Sequence, residues 1–121
     1  MKAPLRILVV EDQGDLRMLI RLALEPLAAE IREVVGGMEA LLAVRHFKPD
    51  VVILDVMLPG RIDGYQVCQA IKQNPLTRLA KVIMVSARGQ KSDIEKGYQM
   101  QADRYLVKPF SPLELLREVE A

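Results

Sequence analysis

The shortages in this chain narrow its function before any motif is considered. Cys68 is the only cysteine, which excludes an internal disulfide and fits a reducing cytosol. His46 is the only histidine, and tryptophan is absent. An excess of one charge is also missing: 17 Lys and Arg face 16 Asp and Glu, so no sequence-wide nucleic-acid footprint exists. No apolar run approaches the length that spans a bilayer. The start, MKAPLRILVVED, turns acidic too early for the core of a signal peptide, so neither secretion nor a membrane anchor is implied. Linkers, repeats and low-complexity tracts are lacking too. The 121 residues are read as one soluble, cytoplasmic domain with ample material for a core.

What is present is alternation. Short β-rich runs occur at 5–10, 31–35, 51–54, 81–85 and 104–107, separated by segments with helical spacing. In 15–28, Leu16, Leu19, Ile20, Ala23, Leu24 and Leu27 make an apolar stripe, which Pro26 interrupts in its last turn. Further helices are predicted over 38–47, 64–73 and 92–100, the last weakened by Gly97, and one opens at Ser111-Pro112 with a capping serine. Such alternation predicts an α/β sandwich around a parallel sheet. Ligands of such sheets lie beyond the C-terminal strand ends.

Four strand ends carry chemistry. The first closes in Val10-Glu11-Asp12, the third in Leu54-Asp55, the fourth in Val85-Ser86-Ala87 and the fifth in Val107-Lys108-Pro109. A lone aspartate there is usually a turn or cap residue, and Asp12 or Asp15 could cap the first helix. Four reactive ends on one rim are hard to explain that way. Three clustered carboxylates repel, so one stays protonated unless a cation joins them. A hard divalent ion such as Mg²⁺ suits oxygen ligands, and Lys108 adds a second positive charge.

In VVED, ILDVMLPG, VSA and YLVKPF the chain resembles the receiver domain of bacterial two-component response regulators, from Leu5 to Val119. The resemblance implies a flavodoxin-like, chemotaxis-receiver-like three-layer sandwich, its five-stranded parallel sheet ordered 2-1-3-4-5. It implies Asp55 as phosphoacceptor, taking a phosphoryl group from the phosphohistidine of a sensor histidine kinase or phosphotransfer protein. Glu11, Asp12, Asp55 and the Met57 carbonyl would bind Mg²⁺, Glu11 through water. Ser86 and Lys108 would contact the phosphoryl group, with backbone N–H groups of Met57 and Ala87 as further donors. Ser86 and Tyr105 would form the switch, altering the surface of the fourth helix, fifth strand and fifth helix for a downstream effector. Pro109 follows a peptide that the family usually holds cis. A receiver over residues 1–121 is expected, with no output domain in this chain, from either a single-domain regulator or the N-terminal part of a longer protein; neither direct nucleic-acid binding by this chain nor membrane association is expected.

Departures from the pattern are local. PGRIDG has one residue more than the usual PGMDG, so a longer loop is expected, with Asp63-Gly64 still turning into the third helix. Gln101 stands where a glycine is usual, so a different exit from the fourth helix is expected. Met57 cannot orient an attacking water, and Arg88 is long enough to shield a phosphoryl group, which together predict slow autodephosphorylation.

Other residues attract no role. His46 lies late in the second helix, Cys68 lacks a histidine partner, and Gly36-Gly37 marks a turn rather than a phosphate loop. The alternative function is a Mg²⁺-dependent phosphohydrolase. Such enzymes carry an aspartate two residues after the nucleophile, where this chain has Met57, so no turnover of an external substrate is expected. A flavin-type electron carrier lacks its hydroxyl-rich cradle in VVEDQGD.

Overall fold

A computed structural model describes residues 3–121. In chain order the elements are β1 (Arg6–Val10), α1 (Gly14–Ala23), a 3₁₀ turn (Glu25–Leu27), β2 (Glu30–Val34), α2 (Gly37–Phe47), β3 (Val51–Asp55), α3 (Gly64–Gln73), β4 (Lys81–Ser86), α4 (Lys91–Gln99), β5 (Arg104–Val107) and α5 (Pro112–Glu120). The strands form one sheet in the order β2-β1-β3-β4-β5, and every neighbouring pair is parallel. The predicted sandwich and strand order are therefore present.

Side chains along the central strands alternate between two cores, as the two-residue repeat of a strand requires. Leu8, Val10, Val52, Leu54, Val82 and Met84 pack with α2 and α3 residues such as Val44, Phe47, Val67 and Ile71. Ile7, Val9, Val51, Ile53, Ile83 and Val85 face the other way and pack with Ile20, Leu24 and, from α5, Leu115 and Val119. Burial on both faces explains why these strands read as unbroken apolar runs.

Helix ends follow local chemistry. Pro26 does end α1 early: the α-helix stops at Ala23, and the chain continues as a 3₁₀ turn with proline in its first turn. Neither Asp12 nor Asp15 caps α1; Gln13 holds that position without a side-chain bond, and Asp15 lies in the first turn. Asp12 instead joins a carboxylate cluster. Reciprocal side-chain and backbone bonds open α3, between Asp63 and Gln66, and α5, between Ser111 and Glu114. The expected different exit from α4 is not what the backbone shows: Gln101 adopts φ of 71°, the left-handed region that glycine enters freely, so the side chain is carried in a glycine-like conformation.

Candidate functional site

The rim named from the sequence is assembled at the C-terminal edge of the sheet. Glu11 follows β1 and is fully buried, while Asp12 beside it is exposed. Asp55 is the last residue of β3, only 4% exposed. One carboxylate oxygen from each of these three lies within 4.8 Å of the others. Ser86 ends β4 and is buried, and Lys108 directly follows β5 and is joined to Pro109 by a cis peptide.

Two positive influences hold this charge together. Lys108 Nζ donates to Asp55 Oδ2 at 3.0 Å and to Glu11 Oε1 at 3.1 Å. The Met57 N–H donates to Asp55 Oδ1 at 3.0 Å, and the Gln13 N–H to Glu11 Oε2 at 3.1 Å. Burial pushes the Glu11 carboxyl up to about 7, with the charge of Asp55 adding to it and the bonds from Gln13 and Lys108 opposing it. For Lys108, burial acts downward, but its bonds to Asp55 and Glu11 prevail and leave the ammonium above its ordinary value. One ammonium between three carboxylates leaves acidic oxygen to spare. The donor set, all hard oxygen, fits a divalent cation of the Mg²⁺ class.

The remaining predicted residues lie around this centre. Ser86 Oγ accepts the N–H of Arg88 at 3.0 Å. Tyr105 is half-buried on β5, and its hydroxyl donates to the carbonyl of Arg88 at 2.8 Å. Arg88 in the β4–α4 loop thus meets both, through the N–H on one side of its Cα and the carbonyl on the other, a link the sequence pattern does not disclose. The Tyr105 ring rests against Gly97, where an added Cβ would come within 2.7 Å of Cδ2. The glycine that weakened the fourth helical segment in the sequence makes room for this aromatic residue.

The loop after β3 is built around close approaches. A Cβ on Gly64 would lie 2.1 Å from the Asp55 carbonyl oxygen, so α3 begins directly against the strand end. PGRIDG lies in the connection between β3 and α3, and Asp63-Gly64 does turn the chain into α3. Ile62 from that loop is partly buried and reaches Gly37 at the start of α2, where a Cβ would be 2.7 Å from the Ile62 carbonyl oxygen. His46 is exposed on α2, and burial pushes the Cys68 thiol up to about 12.

The family model of the response regulator receiver domain matches residues 7–120. The chain belongs to that family. Relatives of this receiver include the phosphate regulon transcriptional regulatory protein PhoB of Rhizobium meliloti, 40% identical over 116 residues, covering 96% of this chain and 51% of PhoB. Protein PilG of Pseudomonas aeruginosa is 33% identical over 117 residues, covering 97% of this chain and 86% of PilG. Among solved structures, the BeF3-activated receiver domain of DrrB, an OmpR/PhoB homologue of Thermotoga maritima, superposes with a TM-score of 0.86 at 30% identity, covering 98% of this chain and 96% of that one. The receiver spans about half the length of most of the curated relatives it matches. Receiver domains are signalling switches of two-component systems, and the phosphohydrolase alternative finds no support. Among the described residues, no helix is long and apolar enough to cross a membrane.

Proposed function

We propose that Asp55 is the phosphoacceptor of this receiver. The supporting observation is its position: a buried carboxylate at the end of β3, held by Lys108 and the Met57 N–H, within a cluster of acids. A carboxylate oxygen attacks phosphorus of a donor phosphohistidine, the phosphorus–nitrogen bond breaks, and the imidazole leaves with a proton. Glu11, Asp12, Asp55 and the Met57 carbonyl would hold Mg²⁺, with Glu11 acting through water. When bound, the ion supplies charge neutralisation to the phosphoryl oxygens. Lys108 has three donors and follows the new charge, while the N–H groups of Met57 and Ala87 give it fixed donors.

The added charge then acts on Ser86. Its hydroxyl, now accepting from Arg88, rotates to donate to the phosphoryl group. Releasing Arg88 loosens the carbonyl that holds Tyr105, and the ring is freed to change rotamer beside Gly97. This biases two states of the α4-β5-α5 face, where a downstream effector protein or domain binds. A sensor histidine kinase or phosphotransfer protein is the donor. The chemistry is stoichiometric acceptance and self-dephosphorylation, without turnover of an external substrate, in the cytoplasm.

Intact mass after treatment with acetyl phosphate and Mg²⁺ tests the assignment. One phosphoryl adduct on the parent and none on Asp55→Asn is the expected result. Labelling of Asp55→Asn to the parental level, or repeated turnover of an added phosphomonoester, refutes it.

A further inference from the structure

Arg17 belongs to α1 and has no place in the phosphoryl chemistry, yet it reaches back to the loop that carries two of the clustered acids. Its Nη1 donates to the Glu11 carbonyl at 2.9 Å and to the Asp12 carbonyl at 3.0 Å. Its guanidinium crosses Gly14, 3.5 Å from where a Cβ on that residue would stand. On its far side, Nε pairs with Glu33 Oε1 of β2 at 3.2 Å, and Arg21 bonds the other Glu33 oxygen. The loop is tied from β2 as well, where the Glu11 N–H bonds the Val34 carbonyl at 3.1 Å.

Side chains of a helix tilt toward its N-terminus, so a residue in the first turn of α1 is aimed at the segment that precedes it. Converging two successive carbonyls on one nitrogen fixes two peptide planes, and with them the directions in which Glu11 and Asp12 leave the backbone. That constraint opposes the repulsion among the acids, which would otherwise splay a flexible loop. We infer that Arg17, held by Glu33, is a positioning residue for the cation site, orienting Glu11 and Asp12 from behind; the inference rests on the Mg²⁺-binding reading given above.

Charge and orientation predict opposite signs here. As a bare charge, Arg17 repels a cation bound at the acids, so neutralising it tightens Mg²⁺ binding. As an orienting group it is worth affinity, and partners that orient metal ligands typically change it by about 10- to 100-fold. Orientation wins in this geometry because the guanidinium charge is already paired with Glu33, whereas nothing else bonds the two carbonyls among the described residues.

Calorimetric titration with Mg²⁺ alone, on the full chain, decides between them. Arg17→Met is expected to bind roughly tenfold more weakly than the parent. Arg17→Lys keeps the charge but cannot span two carbonyls and Glu33, and it is expected to lose affinity too. Amide exchange at Gln13 and Gly14 in metal-free protein is expected to quicken in both, a local change that a general loss of stability would not confine to the loop. Equal or tighter binding by folded Arg17→Met overturns the inference. If that variant does not fold, Arg17→Lys, which leaves the charge unchanged, serves instead: weaker binding supports the inference, and parental or tighter binding overturns it. A parent that binds no Mg²⁺ sinks the cation reading itself, and the role of Arg17 with it, a result distinct from a parent that binds and a variant that binds equally.

Discussion

Met57 is half-exposed beside Asp55, and its side chain ends in a thioether, a weak acceptor with no donor. It cannot align water for attack on an aspartyl phosphate, whereas an amide in that place can both donate and accept. Arg88 is exposed and has no ion-pair partner among the described residues, so its guanidinium is free to lie over a phosphoryl group. Following phosphate release, Met57→Asn is expected to lose its label several-fold faster than the parent; equal or slower loss defeats the argument. Gly97 is the second residue whose chemistry lies in what it lacks. Gly97→Ala forces the Tyr105 ring aside, and overpacking of this kind costs about 1–3 kcal/mol, while the gain in helix propensity returns about 1. A net loss of roughly 1 kcal/mol in urea unfolding is expected, together with altered Tyr105 ring resonances. Unchanged resonances would show that the contact is soft. The acids, the serine and the lysine were legible from sequence because each interrupts or ends an apolar run. The Tyr105–Gly97 contact was not, since two residues eight apart in sequence meet only after α4 folds back on β5.

At the scale of the element, composition named the helices and chemistry at their ends set their limits. Pro26 was a visible obstacle, and the α-helix does stop before it. Asp12 and Asp15 are both good capping residues, yet Gln13 takes the cap of α1, and Asp12 lies in the acid cluster that the strand ends already indicate in the sequence. Gln101 carries strain that glycine would not, since the left-handed region costs a side chain about 1–2 kcal/mol. Part of that gain is lost to the greater freedom of glycine in the unfolded chain. Gln101→Gly is therefore expected to stabilise by about 0.5–1 kcal/mol in urea titration, and a loss of stability would mean that the Gln101 side chain makes a contact of value. Ser111→Ala is expected to cost about 1 kcal/mol, because Ser111 Oγ accepts the Glu114 N–H at 3.1 Å at the start of α5.

Across the whole molecule, the sheet gathers charges from positions 11, 12, 55 and 108 onto one edge, and the fold must tolerate them before any phosphoryl group arrives. The sequence showed which residues meet; it did not show that Lys108 bridges Glu11 and Asp55 rather than Asp55 alone. That bridge makes stability and cation binding compete. With Lys108→Met, two buried acids lose their shared counter-charge, and breaking such a buried pair costs roughly 3 kcal/mol. The same change removes a positive charge from beside the cation site, so Mg²⁺ is held more tightly. Binding to the folded state alone stabilises by RT ln(1 + [L]/Kd), so added Mg²⁺ restores more to the variant than it adds to the parent. Thermal melts of both proteins with and without Mg²⁺ check this. The expected pattern is a low metal-free Tm for Lys108→Met and a larger upward shift on adding the ion. Parallel shifts would mean that Lys108 and the cation act independently, and the shared-charge account of the rim would fail. Lys108→Met and Arg17→Met each remove one positive charge near the same acids, yet their effects on Mg²⁺ affinity are expected to run in opposite directions, because Lys108 bonds the carboxylates and Arg17 bonds the backbone behind them.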